Sequence, residues 1–134
     1  MNLEEFKKKY LGKKVDFDKS FGYQCVDLFR QYCNDVWNLP HTGAVEGAKD
    51  LFLNYEKLPL EKKYLEKIDI KNLKIGDVII WGESVSNKWG HVAIFLQNIG
   101  ETSCLVLEQN GFTQAGVVEV KRDFFNCLGG LRKK

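Results

Sequence analysis

The chain has 134 residues, of which 44% are hydrophobic and 13% aromatic, enough apolar material for one globular domain over 1–134 and too much for a disordered segment. Lys and Arg number 20 against 18 acidic residues, and a balance of +2 gives no basis for nucleic-acid binding; the basic end Arg132, Lys133, Lys134 reads as a solvated tail. No stretch is long and apolar enough to insert into a membrane, and Met1 to Phe6 lack the apolar run of a signal peptide, so the expectation is synthesis in a reducing cytoplasm with Cys25, Cys33, Cys104 and Cys127 as free thiols.

Leu3, Phe6, Tyr10 and Leu11 recur at helical spacing before Gly12, which predicts a short amphipathic helix over 3–11. From Cys25 onward Val26, Leu28, Phe29, Tyr32, Cys33, Val36 and Trp37 form a second helical stripe, ended near Asn38 to Pro40 by the proline. A third, weaker helix is expected over 43–55, followed by a Lys/Glu-rich linker through Lys67 with no assigned structure. The period then changes to that of strands at 77–81, 91–98, 103–110 and 116–120, short Val/Ile/Leu runs separated by Gly, Asn and Ser. Helices first and strands second predict an α+β fold with an antiparallel sheet.

Cys25 carries the chemical interest. Its place in the first turn of a helix favours the thiolate, through the unpaired backbone N–H groups and the helix dipole. A thiol nucleophile needs an imidazole, and the chain has two, His41 and His91. His91 opens the strand Val92 to Leu96, which can aim its ring, whereas His41 sits in a Pro-His-Thr-Gly turn. The imidazole needs a third group to orient it. The period-2 rule puts Glu108 and Asn110 on one strand face, and either could fix the ring and its tautomer; the plainer alternative places both past the strand end in solvent.

Tyr23 to Leu28, Gly76 to Trp81, Gly90 to Ile94 and Glu108 to Asn110, in that order, resemble the motifs of the CHAP family of cysteine- and histidine-dependent amidohydrolases/peptidases, and Leu128 to Arg132 is similar to its last strand. The resemblance implies a papain-like fold with N-terminal helices packed on an antiparallel sheet. It also implies Cys25 as nucleophile, His91 as general base, Glu108 as orienting acid and Asn110 as a fourth member. The implied reaction is hydrolysis of an amide in bacterial peptidoglycan. The Cys25 N–H and a second donor, for which Gln24 is the candidate, would hold the oxyanion, and Tyr23 and Trp89 would line the substrate groove.

The loop before Cys25 has its own pattern. With Asp16 as position 1, Asp18 is position 3, Ser20 position 5, Gly22 position 7 and Asp27 position 12, the ligand spacing of an EF-hand loop. Phe21 stands where an EF-hand has glycine, and Asp27 replaces the longer bidentate glutamate. Some phage enzymes of the family carry calcium in this place, so structural calcium is expected.

The expected role is a phage endolysin or virion-associated lysin, a monomer reaching the wall through a holin lesion or with a tail partner. The alternatives are a non-catalytic wall-binding or tail-structural domain, and a thiol amidase acting on a small γ-glutamyl peptide.

Overall fold

The computed structural model describes residues 1–17, 24–40, 45–110 and 116–134. The sequence-predicted residues Asp18, Ser20, Gly22, Tyr23 and His41 lie outside these.

Helix α1 (Leu3–Tyr10) begins with a reciprocal cap: Asn2 Oδ1 accepts from the Glu5 N–H at 2.9 Å and Glu5 Oε1 from the Asn2 N–H at 3.1 Å. Helix α2 (Cys25–Asp35) buries Val26, Leu28, Phe29, Tyr32 and Cys33, a stripe at i, i+3, i+4 and i+7 that presses it onto the sheet. It stops where Asn38 turns left-handed (φ 54°) two residues before Pro40.

The third helix is shorter than its pattern predicts: α3 covers only Asp50–Leu53. Asp50 Oδ2 takes the Gly47 N–H at 3.1 Å and the Trp89 carbonyl takes the Lys49 N–H at 3.0 Å. These external bonds claim the donors that a longer helix would have used in its first turns. The unassigned linker holds α4 (Pro59–Tyr64), started by proline at its first position, and strand β1 (Leu65–Ile68).

The remaining strands are β2 (Val78–Trp81), β3 (His91–Ile99), β4 (Ser103–Glu108), β5 (Val118–Asp123) and β6 (Cys127–Lys133). All pairings are antiparallel, in the order β1-β6-β2-β3-β4-β5. The α+β class and antiparallel sheet expected from the sequence are both present.

The sheet must be curled. Strands β5 and β6 are four steps apart in that order, roughly 19 Å in a flat sheet, yet residues 124–126 alone join them and can span no more than about 14 Å. The Trp81 Nε1–H accordingly reaches from β2 to the Asp123 carbonyl of β5 at 3.1 Å.

Alternation then builds two cores. Val78, Ile80, Val92, Ile94 and Leu107 face the helices with Phe6, Phe29, Tyr32 and Leu51. Ile79, Trp81, Ala93, Phe95, Cys104 and Val106 fill the concave side. His91 and Glu108 keep step with the concave set, at the end of the sheet where α2 begins.

Candidate active site

Cys25 is the first residue of α2 and half-buried. The start of that helix is fixed by Asp27, 2% exposed, whose Oδ2 accepts the Gln24 N–H at 2.9 Å. The Cys25 N–H is among those that an α-helix cannot pair internally at its N-terminus, and Cys25 lines a cleft there.

His91 heads β3 opposite Trp81, the two rings 5.7 Å apart. The loop before it is held by one side chain: Asn87 Nδ2–H donates to the Gly90 carbonyl at 2.7 Å, and Asn87 Oδ1 accepts the Trp89 N–H at 3.1 Å. Gly90 is required there. Its φ is +76°, and a Cβ would collide with the Trp81 carbonyl oxygen and lie 2.8 Å from Lys49 Cβ.

The His91 Nε2 lies 3.0 Å from Glu108 Oε1, at a residue 1% exposed. With Nε2 taken, Nδ1 is the nitrogen left for Cys25. Burial by itself pushes the imidazole pKa down, but hydrogen bonds to Cys25 and Glu108 overcome it and hold His91 above its ordinary value. Glu108 is displaced the other way: burial would raise it, but His91 and Arg122 keep its carboxyl below the usual range. The site thus favours a protonated ring beside an ionised acid.

Asn110 does not share the strand face with Glu108, as the period-2 rule had it. β4 ends at Glu108, and Asn110 stands beyond it in a left-handed conformation (φ 56°) with its Oδ1 buried and, among the described residues, without a hydrogen-bond partner. Neither is it in solvent: it lines the cleft between Cys25 and His91. The Glu108 half of the rule holds.

The cleft has two lobes that meet at Asn87, Trp89, Gly90 and Asn110. One, about 460 Å³, contains Gln24, Cys25 and the Val45 to Ala48 turn. The other, about 640 Å³, contains His91, Trp81, Arg122 and Phe125. Gln24 is exposed at the mouth beside Cys25, and Trp89 is 43% exposed on the rim.

Three residues that hold this arrangement went unassigned in the sequence. Asn87 is one. Gln109, fully buried, is another: its Oε1 accepts the Val15 N–H at 2.6 Å, and its Nε2 donates to the Val15 carbonyl at 2.7 Å and the Gln24 carbonyl at 2.8 Å. Only an amide has donors and an acceptor for that set. The third is Arg122 of β5, whose Nε and Nη2 both bind the Glu108 carboxylate.

Of the expected cation ligands, Asp16 and Asp27 are described. Among the described residues Asp16 Oδ1 is buried without a hydrogen-bond partner, an acceptor that suits a hard cation. Among the described residues alone, no three His, Cys, Asp or Glu side chains gather as a metal site.

The family model of the CHAP domain matches residues 15–110, which contain Cys25, His91, Glu108 and Asn110. The chain belongs to the CHAP domain family. No curated protein matches it. Among 17 matching chains of solved structures is a wild-type endolysin, LysIME-EF1, with 18% identity and a TM-score of 0.69. The alignment covers 98% of this chain and 64% of the endolysin. The CHAP domain here therefore has the papain-like α+β fold, and the chain spans less than two thirds of that endolysin's length. Among the described residues, no helix is long and apolar enough to cross a membrane.

Proposed function

We propose that this CHAP domain hydrolyses an amide bond of bacterial peptidoglycan as the catalytic part of a phage lysin. The observation that carries the proposal is the convergence of Cys25, His91 and Glu108, from a helix and two strands: Cys25 and His91 stand in adjoining lobes of one cleft, and Glu108 is buried behind His91. The fold it shares with an endolysin supports the choice of substrate.

In this mechanism the Cys25 thiolate attacks the scissile carbonyl carbon and the carbonyl electron pair moves onto oxygen, where the Cys25 N–H, with Gln24, receives it. Collapse of the adduct expels the amine, which takes the His91 proton. His91 then removes a proton from water, which attacks the thioester, frees the carboxylic acid and restores the thiol. Because His91 must meet the leaving nitrogen, the amine half of the substrate occupies the lobe of Trp81, Trp89 and Phe125, and the acyl half the lobe of Gln24 and Gly47.

Calcium is part of the proposal. Asp16 and Asp27, with Asp18 and the Ser20 and Gly22 carbonyls, would hold it as an all-oxygen shell. It would supply fixed positive charge that orders the segment leading into Cys25.

The test is Cys25→Ala on purified cell walls. The parent should lower their turbidity and release amino groups without new reducing sugar ends, and the variant should sediment with the walls yet release nothing. A variant that clears walls at the parental rate would overturn the role of Cys25. Release of reducing ends instead of amines would overturn the bond class. Mass spectrometry of the fragments separates muramoyl-alanine, stem-peptide and cross-bridge cleavage.

A further inference from the structure

Glu108 is almost wholly buried, yet its carboxylate has to remain charged and aimed at His91. Among the described residues its hydrogen-bond partners are two: His91 on Oε1, and Arg122, which spans the carboxylate with Nε on Oε1 and Nη2 on Oε2 at 3.2 Å. Arg122 is itself placed. Its guanidinium carbon lies 5.4 Å from the Trp81 ring centroid, and Trp81, anchored through its Nε1–H on the Asp123 carbonyl, in turn faces the His91 ring. The four side chains close a circuit that runs His91, Glu108, Arg122, Trp81 and back to His91, built from β3, β4, β5 and β2.

We propose that Arg122 is a positioning residue for the proposed hydrolysis, holding Glu108 ionised and oriented so that the acid aligns and charges His91 without accepting its proton. A planar fork with two donors suits this task. It fixes the rotation of the carboxylate as well as its charge, which a lysine ammonium, as a point charge, does not. The fork also occupies Oε2 and shares Oε1, so the proton on His91 is directed to the leaving amine. The curl of the sheet makes this possible, because it brings Trp81 of β2 against β5 across two intervening strands. The charged or titratable groups around Glu108 are His91 from β3, Arg122 from β5, Cys104 on its own strand and, beyond the imidazole, Cys25 of α2.

The inference rests on the proposed function only for its kinetic readout. The experiment compares Arg122→Gln and Arg122→Lys with the parent, after thermal melts show that each folds. Wall-clearing kinetics are measured together with an NMR titration of the imidazole protons. The chain has two histidines, so a His41→Gln background leaves His91 as the one signal.

Arg122→Gln is expected to lower kcat roughly 10–100-fold with KM little changed, and to lower the His91 titration midpoint as its anionic partner turns away or is neutralised. Arg122→Lys should recover part of both. A rise in the His91 midpoint would mean that Glu108 stays ionised and in place alone, with Arg122 acting only as a repelling charge, and would overturn the proposal. An unchanged kcat with a lower melting temperature would reduce Arg122 to a structural strut. A raised KM at constant kcat would make it a substrate contact. If the parent clears no walls, the function proposal fails while the titration still judges the circuit.

Discussion

Gly90→Ala tests whether the loop before His91 is as tightly built as its geometry requires. At φ +76° an alanine adds about 1–2 kcal/mol of left-handed strain. Its methyl also runs into the Trp81 carbonyl and lies 2.8 Å from Lys49 Cβ, backbone and stem atoms that cannot swing aside. Overpacking of this kind adds about 1–3 kcal/mol. The sum is about 2–5 kcal/mol, and at about 3–5 °C per kcal/mol for a chain of this size the melting temperature should fall by about 6–25 °C. Gly12→Ala is the control: its φ is +82° but nothing lies within 4 Å of the added carbon, so it feels strain without collision. The difference between the two melts isolates the close approach. His91 follows Gly90 directly, so Gly90→Ala should also slow wall clearing far more than Gly12→Ala does. Equal melting temperatures for the two variants would refute the packing described around Trp81 and Lys49.

Gln109→Ala removes three hydrogen bonds, two of them buried, and strips the Val15 N–H and carbonyl of this partner while the Gln24 carbonyl keeps the Asp27 N–H, so a loss of about 2–5 kcal/mol is expected in chemical denaturation; Gln109→Glu, which turns the donor amide into a second acceptor, should do no better. The His91–Glu108 pair sets a pH window. The raised His91 contributes stability in full below 6.5, lost as pH rises through its folded value, and the lowered Glu108 contributes in full above 4.5, lost as pH falls through its own. The melting-temperature gap between the parent and Glu108→Gln should thus be widest between those values, shrink steeply in acid and shrink partly in base, where Arg122 still holds Glu108; a gap constant with pH would contradict the assignment. Trp89→Ala and Phe125→Ala, at side chains 43% and 78% exposed on the amine lobe, should raise KM without moving the melt; unchanged KM would remove both from the groove. Removing calcium with a chelator should lower the melting temperature of the parent and not of Asp16→Ala, and identical melts with and without the metal would dismiss the cation.

The grouping of Cys25, His91 and Glu108 was legible because each member advertises itself locally. Cys25 begins an apolar stripe, His91 opens a strand after a glycine, and Glu108 is an acid in step with Val106 inside a core strand. The supports were not, since their roles depend on distant partners. Arg122 lies beyond the strand expected at 116–120, and only the pairing of β4 with β5, which sets it opposite Cys104 on the face that carries Glu108, shows its partner. Gln109 looks like one more polar residue near a strand end until Val15, 94 positions earlier, is beside it. Asn110 was misplaced because period-2 reasoning continues only while the strand does. The third helix failed because hydrophobic spacing is blind to donors already claimed by Asp50 and Trp89.

The Gln109 amide has a topological consequence. By gripping Val15 and Gln24 it makes the chain between them a ring of about ten residues whose ends are already joined, a closure that would otherwise cost about 2 kcal/mol of chain entropy. The clasp is the residue directly after the strand that carries Glu108, so the ring and the acid are tied to one register. A slip of β4 by a single residue would carry the acid to the opposite face, away from His91, and pull the amide out of the ring in the same movement.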